Sequence, residues 1–338
     1  MPLNSNFDSL QPRNDMSWLN DLRIVSTFAV ILVHVSLKAR ISFMSVDLLY
    51  GSWARFCVPV FIMLTGTLIL PKKYELIDFL KRRVIRIIIP FVFWSIIYSI
   101  LKVNLEKNLV PNNFLGKVIW IGEQLITGSS FHLWYVYMII GIYLFIPIIS
   151  KYIQNCTETE ILYFLIIWLL TLFYDSPFDL SYFSGYIGLV ILGYYLSIKS
   201  FRHGLIIGIL SFTIGFLITV LGTYFLSFKS GIFQEKYYSY LSPNIVLMSI
   251  GIFFIFKYFK FGSNNTTERI KKFLNQYSYG IYLVHILTLH ALEKVGLKWD
   301  VLNPWIGVPI LTFVCLFCSA IIIYIINKIP VVGKFISG

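Results

Sequence analysis

Charge is scarce in this chain. Of 338 residues, 13% are Asp, Glu, Lys or Arg, where a soluble domain carries about 25%. Acids are the scarcer sign, 16 against 28 Lys and Arg. The four cysteines are too few and too scattered for a disulfide framework. Cys315 and Cys318 form a CxxC inside an apolar run, with no second pair and no nearby histidine, and read as small buried hydrophobes. There is no HExxH and no paired carboxylate set, so no metal cofactor is expected. The net charge of +12 raises nucleic acid as a partner. No basic run interleaved with aromatics stands on a soluble stretch, so nucleic acid is excluded. No polar segment is long enough for a soluble catalytic domain. Any chemistry is expected within or at the edge of a membrane.

What fills the chain is apolar: 57% of residues, with a mean hydropathy of +0.77. This predicts an all-α polytopic membrane protein of the inner or plasma membrane, spanning it many times. About ten spans of roughly 20 residues can be read. They run over 18–37, 49–70, 84–101, 133–150, 161–173, 182–198, 204–226, 241–256, 278–292 and 304–326. Lys and Arg fall in alternate short loops, 18 of the 28 on one side, which predicts that both termini are cytoplasmic. The expected layout is a tail over 1–17, a membrane domain over 18–327 and a second tail over 328–338. The first apolar run is as long as a span and no small-residue cleavage site follows it, so it is expected to remain as an anchor. The outer loop around "FLGKVIWIGEQL" is expected to hold an amphipathic or re-entrant piece. Aromatics make up 18%, in part an interfacial belt. A homo-oligomer is compatible with this composition.

Within "NDLRIVSTFAVILVH", Arg23 and His34 are eleven residues apart. On a helix this places them within roughly 20° of one line and roughly 16 Å apart along the axis. With Arg23 at the inner interface, His34 reaches the bilayer midplane. An ionisable residue there marks a functional site by default; a neutral histidine hydrogen-bonded between helices is the plainer alternative. In "FLKRRVIRIIIPFVFW", Arg83 and Arg86 share a helix face at the same depth as Arg23. Three guanidiniums suit a polyphosphate, although simple positive-inside anchoring also explains them. A phosphate-binding end joined to a deep histidine fits a ligand with a phosphate head and a long narrow arm. Coenzyme A has that shape, so a coenzyme A thioester is the expected acyl donor. A sugar hydroxyl would meet the thioester near His34 from the outer side.

Further candidates lie around that line. Arg55, about a turn inside the second span, either snorkels outward or faces a polar cavity. His132, Trp134 and Tyr135 in "SFHLWYVY" suit a carbohydrate at the outer rim, as well as a headgroup belt. Tyr282 and His285 in "YSYGIYLVH" fit substrate contact or plain packing. Glu123 is the one acid in a mostly apolar outer stretch and is a candidate to orient a base or an acceptor.

Taken together, these segments resemble the acyltransferase-3 family of integral membrane acyltransferases. The likeness rests on "NDLRIVSTFAVILVH", "VPVFIMLTG", "RRVIRIIIP" and "YSYGIYLVH", in order along the whole chain. "FHLWYVYMIIGIYLFIP" looks most like the subgroup that O-acetylates surface polysaccharides. The resemblance implies acetyl transfer from cytoplasmic acetyl-CoA to a cell-surface or lipid-linked glycan. It assigns the essential histidine to His34, the first-helix arginine to Arg23 and the RxxR pair to Arg83 and Arg86. The sequence departs from the family pattern in Leu22-Arg23-Ile24, where many members carry Arg-Gly, and in Thr65, where serine is usual. No appended esterase-like domain is expected. His34 would act as general base or carry the acetyl group transiently. A transporter or flippase for a glycan precursor is the rival, and a non-catalytic subunit of a polysaccharide synthase the third reading. Acyl content of the glycan separates the first two.

Overall fold

The computed structural model describes residues 17–105, 110–111, 113–173, 181–262, 264–330 and 333–337. The expected N-terminal tail, with Arg13, lies outside them. The protein is 82% helical with no strand among the described residues. Seven helical segments there are long and apolar enough to cross a membrane. Three shorter helices stand where the fifth, sixth and ninth spans were expected.

In chain order the helices are α1 (Ser17–Ala39), α2 (Met44–Ala54), α3 (Cys57–Ile69), α4 (Leu76–Phe79), α5 (Ile85–Leu105), α6 (Phe114–Thr127), α7 (Trp134–Asn155) and α8 (Glu158–Thr171). They continue with α9 (Ser181–Ile198), α10 (Gly204–Ser230), α11 (Pro243–Tyr258), α12 (Asn265–Gln276), α13 (Ser278–Lys294), α14 (Pro304–Asn327) and α15 (Gly333–Ile336). Helix α1 is the central post, packed on α2, α3, α11, α12, α13 and α14. Two of its hydroxyls are satisfied within the helix, as suits a bilayer: Ser26 donates to the Leu22 carbonyl at 2.8 Å and Thr27 to that of Arg23 at 2.9 Å. On α10, by contrast, Ile207, Leu210, Ile218 and Phe225 are exposed, the face such a protein turns to lipid.

The expected second span is broken between α2 and α3 at Arg55 and Phe56. Pro59 accounts for the break. It has no N–H to give and its ring crowds the carbonyl four residues back, that of Arg55. The third span begins earlier than its apolar run suggests. A single π-helical turn, Leu80–Val84, joins α4 to α5, so one helical rod runs through the basic segment. Helix α8 starts on a capping box, with the Thr157 hydroxyl accepting from the Glu160 N–H and Glu160 accepting from the Thr157 N–H. The loop piece expected to be amphipathic is α6. It has no buried residue, and the Asn113 side chain caps it by accepting from the Gly116 N–H at 2.8 Å. Residues 333–337 fold back on the bundle instead of trailing away. Trp94 Nε1 donates to the Ile336 carbonyl at 3.0 Å.

Close packing fixes α3 against α9. A Cβ on Gly66 would lie 1.8 Å from the Val190 carbonyl oxygen, and one on Gly193 would lie 2.2 Å from that of Met63. Glycine at both positions lets the two backbones touch. Thr67 adds a hydrogen bond to the Gly193 carbonyl at 3.0 Å. At the end of α1 away from Arg23, Lys38 pairs with Glu293 of α13 at 2.6 Å. There, too, buried Asp47 accepts from Arg40 Nε at 2.6 Å and from Ser36 at 2.8 Å.

Candidate active site

At the basic end of the bundle is a cavity of about 400 Å³. Arg23 of α1, Arg83 of the π turn and Arg86 of α5 all border it. The π turn contributes to this convergence, because it shifts the register of the side chains entering α5 relative to a regular helix. Most of the rest of the wall comes from α3, α7 and α13, including Thr65, Tyr143 and Tyr279, with Asn275 and Gln276 of α12 beside them. The cavity therefore lies between those helices. It does not follow the α1 stripe, where Thr27 is buried with its hydroxyl turned back on its own helix.

A polar groove of about 680 Å³ lies outside this cavity, between the start of α1 and α12. Arg23, Asn275 and Gln276 border both spaces, so groove and cavity adjoin. Asn264 caps α12 by accepting from the Thr267 N–H at 2.8 Å. Lys271 on this helix lies 2.9 Å from Asp21 of α1 and 3.6 Å from Glu268. Burial pulls its pKa down, but the hydrogen bond to Asp21 and the nearby Glu268 outweigh that and hold it above the usual lysine value. Arg269 and Lys272, three apart on α12, also border the groove.

A second, much smaller cavity of about 30 Å³ lies deeper, with His34 on its wall. His132, Trp134 and Tyr240 border it too. Trp134 stacks on Tyr240 with ring centroids 5.7 Å apart. Phe61, Tyr135 and Tyr282 border this cavity and the 400 Å³ one alike. These three rings are the partition between the two spaces. Tyr135 meets Tyr282 edge-on at 5.5 Å and lies 6.3 Å from Phe61. The Tyr282 hydroxyl donates to the His132 carbonyl, which pins the partition to the turn before α7.

His285 borders neither cavity but touches the site from behind. It is fully buried, with its ring centroid 5.2 Å from that of His34 and 5.1 Å from that of His132. Arg55 stands one layer back at the α2–α3 break. Its guanidinium lies 4.3 Å from the Tyr238 ring and 5.6 Å from that of Tyr240, and it borders none of the three spaces. Glu123 is exposed on the surface helix α6 and borders none of them either. The structure thus gathers Arg23, Arg83 and Arg86 on one cavity. It gathers His34, His132, Trp134, Tyr135 and Tyr282 on the other. Sequence reasoning missed Phe61, Tyr240, Asn275 and Gln276. Phe61 was within reach, since it sits in the "VPVFIMLTG" motif.

Among the described residues, no group of His, Cys, Asp or Glu side chains is arranged to hold a metal ion. Residues 16–324 match the family model described as an acyltransferase domain. The chain belongs to the acyltransferase-3 family. It is a multi-pass membrane acyltransferase. No curated protein and no solved structure matches the chain.

Proposed function

We propose that this acyltransferase moves an acetyl group from acetyl-CoA to a hydroxyl of a cell-surface or lipid-linked glycan. In this reading both termini and the basic end face the cytoplasm, and the membrane is the inner or plasma membrane. The observation that carries the proposal is the pairing of the two cavities: three arginines border the larger one, His34 borders the smaller, and one thin aromatic partition divides them.

The donor's pyrophosphate would lie between Arg23, Arg83 and Arg86, whose planar forks match phosphate oxygens. Its nucleotide end would extend into the adjoining groove, toward Arg269, Lys272 and the carboxamides of Asn275 and Gln276. Its arm would run between α3, α7 and α13 to the partition, bringing the thioester to His34. The smaller cavity has room for roughly two waters, which suits a two-carbon acyl group and not a fatty chain. Trp134 and Tyr240 offer aromatic faces to the apolar face of a sugar ring.

With both substrates held, His34 takes the acceptor's hydroxyl proton as that oxygen attacks the thioester carbonyl carbon. The carbon–sulfur bond then breaks, the sulfur keeps the electron pair, and His34 returns the proton to it. Such help contributes about 10²–10⁴-fold, and fixed alignment of the activated thioester adds to it.

The test is ester-linked acetate on the surface glycan of cells lacking this chain. They are complemented with wild type, with His34→Ala, or with empty vector, at matched membrane levels. Acetate restored by wild type and not by His34→Ala is the expected result. Equal acetylation in all three, with the amount of surface glycan depending on the chain, would replace acetyl transfer with transport.

A further inference from the structure

Three imidazoles meet beside the smaller cavity, and each has an orphaned nitrogen. His34 Nδ1, His132 Nε2 and His285 Nε2 are all buried without a hydrogen-bond partner. Unmade hydrogen bonds in such a setting are costly, and three around one point call for an explanation.

The protonation pattern can be worked out for His285. Its Nδ1 lies 2.6 Å from the Tyr282 carbonyl oxygen. A carbonyl only accepts, so in neutral His285 the proton is on Nδ1 and Nε2 is a bare lone pair. The ring is firmly seated. Cys315 donates to the His285 carbonyl at 3.4 Å, and Tyr98 donates to that of Leu283 at 2.9 Å. Tyr279 donates to that of Ile87, also at 2.9 Å, tying α13 to α5. Facing this fixed acceptor is His34, with ring planes inclined at 34°. The 5.2 Å between the ring centroids is about one hydrogen bond plus the two centroid-to-nitrogen radii, so the separation admits an N–H···N contact when the two nitrogens are turned toward each other.

A general-base imidazole needs its proton on the nitrogen turned away from the substrate, and something to hold it there. In the Ser-His-Asp arrangement a carboxylate does this. Among the described residues, no Asp or Glu hydrogen-bonds to any of these three rings. We propose that His285 takes that role: its Nε2 accepts from His34 Nδ1–H. This fixes the His34 tautomer whose Nε2 is bare toward the reacting groups. The inference rests on the acetyl-transfer reading.

In the step itself, the acceptor proton moves to His34 Nε2 as the carbon–oxygen bond forms. It passes to sulfur as the carbon–sulfur bond breaks. His285 keeps its own proton on Nδ1 throughout and neither gains nor loses one. His285 is thus a positioning residue that acts through His34. His132 is the rival partner for either ring, its centroid lying 5.1 Å from that of His285. It is the weaker candidate to orient His34, because its ring lies 6.4 Å from His34 and its Nδ1 is engaged with Ser130 at 2.9 Å.

The test uses membrane vesicles that carry their own glycan, supplied with acetyl-CoA labelled in the acetyl group. Wild type, His34→Ala, His285→Ala, His285→Gln, His132→Ala and the double variant His34→Ala/His285→Ala are compared at equal protein levels. His285→Ala is expected to lose about a hundredfold in maximal rate, the cost of a misplaced reacting group, with KM for acetyl-CoA within about twofold of wild type. His285→Gln, whose carboxamide oxygen accepts, is expected to recover much of that rate. The double variant is expected to be no slower than His34→Ala alone, a coupling that loss of packing would not produce. An equal loss from His285→Ala whether or not His34 is present would overturn the proposal. So would a His285→Ala rate near wild type, or coupling of His34 to His132 instead. If His285→Ala does not accumulate, His285→Gln against His285→Met decides the matter on the same criteria. Wild-type vesicles that incorporate no label would refute acetyl transfer itself, a different failure from wild-type incorporation without His34–His285 coupling.

Discussion

The cavity at the basic end holds about 400 Å³ and is bordered by arginine and carboxamide groups. The one at His34 holds about 30 Å³ among aromatic rings, valines and imidazoles. Both share α1, α3, α7 and α13, and the contrast comes from what is added at each depth: the π turn, α5 and α12 at the larger, and the segments before α7 and α11 at the smaller. Near a helix end, a long cation reaches water or phosphate and its charge is tolerated. At the centre of the bilayer a permanent charge is expensive, and a group that is neutral when idle is better suited. In the proposed reading the molecule therefore separates holding a donor from acting on it. Strong polar contacts sit where they cost little, and a weakly basic ring sits where water is scarce.

This division can be broken from either side. Replacing His34 with alanine is expected to have the largest effect, a loss of about 10²–10⁴-fold in the rate of acyl transfer. Calorimetric binding of coenzyme A to the purified protein should be unchanged; weakened binding would mean that the two regions are not separate. Thinning the partition comes next. Phe61→Ala should let butyryl-CoA gain about tenfold on acetyl-CoA in a competition assay, the scale of a changed hydrophobic pocket. An unaltered chain-length profile would remove the partition from the substrate path. Arg86→Lys keeps the charge but loses the fork, and should raise KM for acetyl-CoA about fivefold while the maximal rate holds. A fall in maximal rate with KM unmoved would place the donor elsewhere. The smallest effect belongs to the exposed groove: Lys272→Glu should weaken acetyl-CoA binding about two- to threefold. It should leave binding of the analogue lacking the 3′-phosphate nearly unchanged. Equal weakening of both would mean that the groove does not hold that phosphate.

Local spacing carried much of the basic end. Arg83 and Arg86 are three apart, and the distance from Arg23 to His34 follows from helix geometry alone. The apolar runs carried the fold class for the same reason. The gathering of the histidines was not legible. His34, His132 and His285 lie on three segments far apart in the chain, and their approach depends on how α1, α7 and α13 pack. Which helices wall the larger cavity was not legible either, because periodicity reports which residues share a face, not which face meets a space. The break at Arg55 could have been read from Pro59, whose conflict with the carbonyl four residues earlier is a local rule. Tyr240 and the α12 carboxamides carried no such signal; only the tertiary structure puts them at the site.

The partition of Phe61, Tyr135 and Tyr282 also has an electrical meaning. A protein with a space reaching into the bilayer from one face and a second space behind it risks short-circuiting the membrane. Hydrated ions and protons follow continuous water, and three close-set aromatic rings interrupt it. In the proposed reaction an acetyl group would need no water column, because it would travel bonded to a carrier on one side and leave bonded to an oxygen on the other. The same rings that divide the two spaces would let the membrane keep its voltage while a chemical group crosses it.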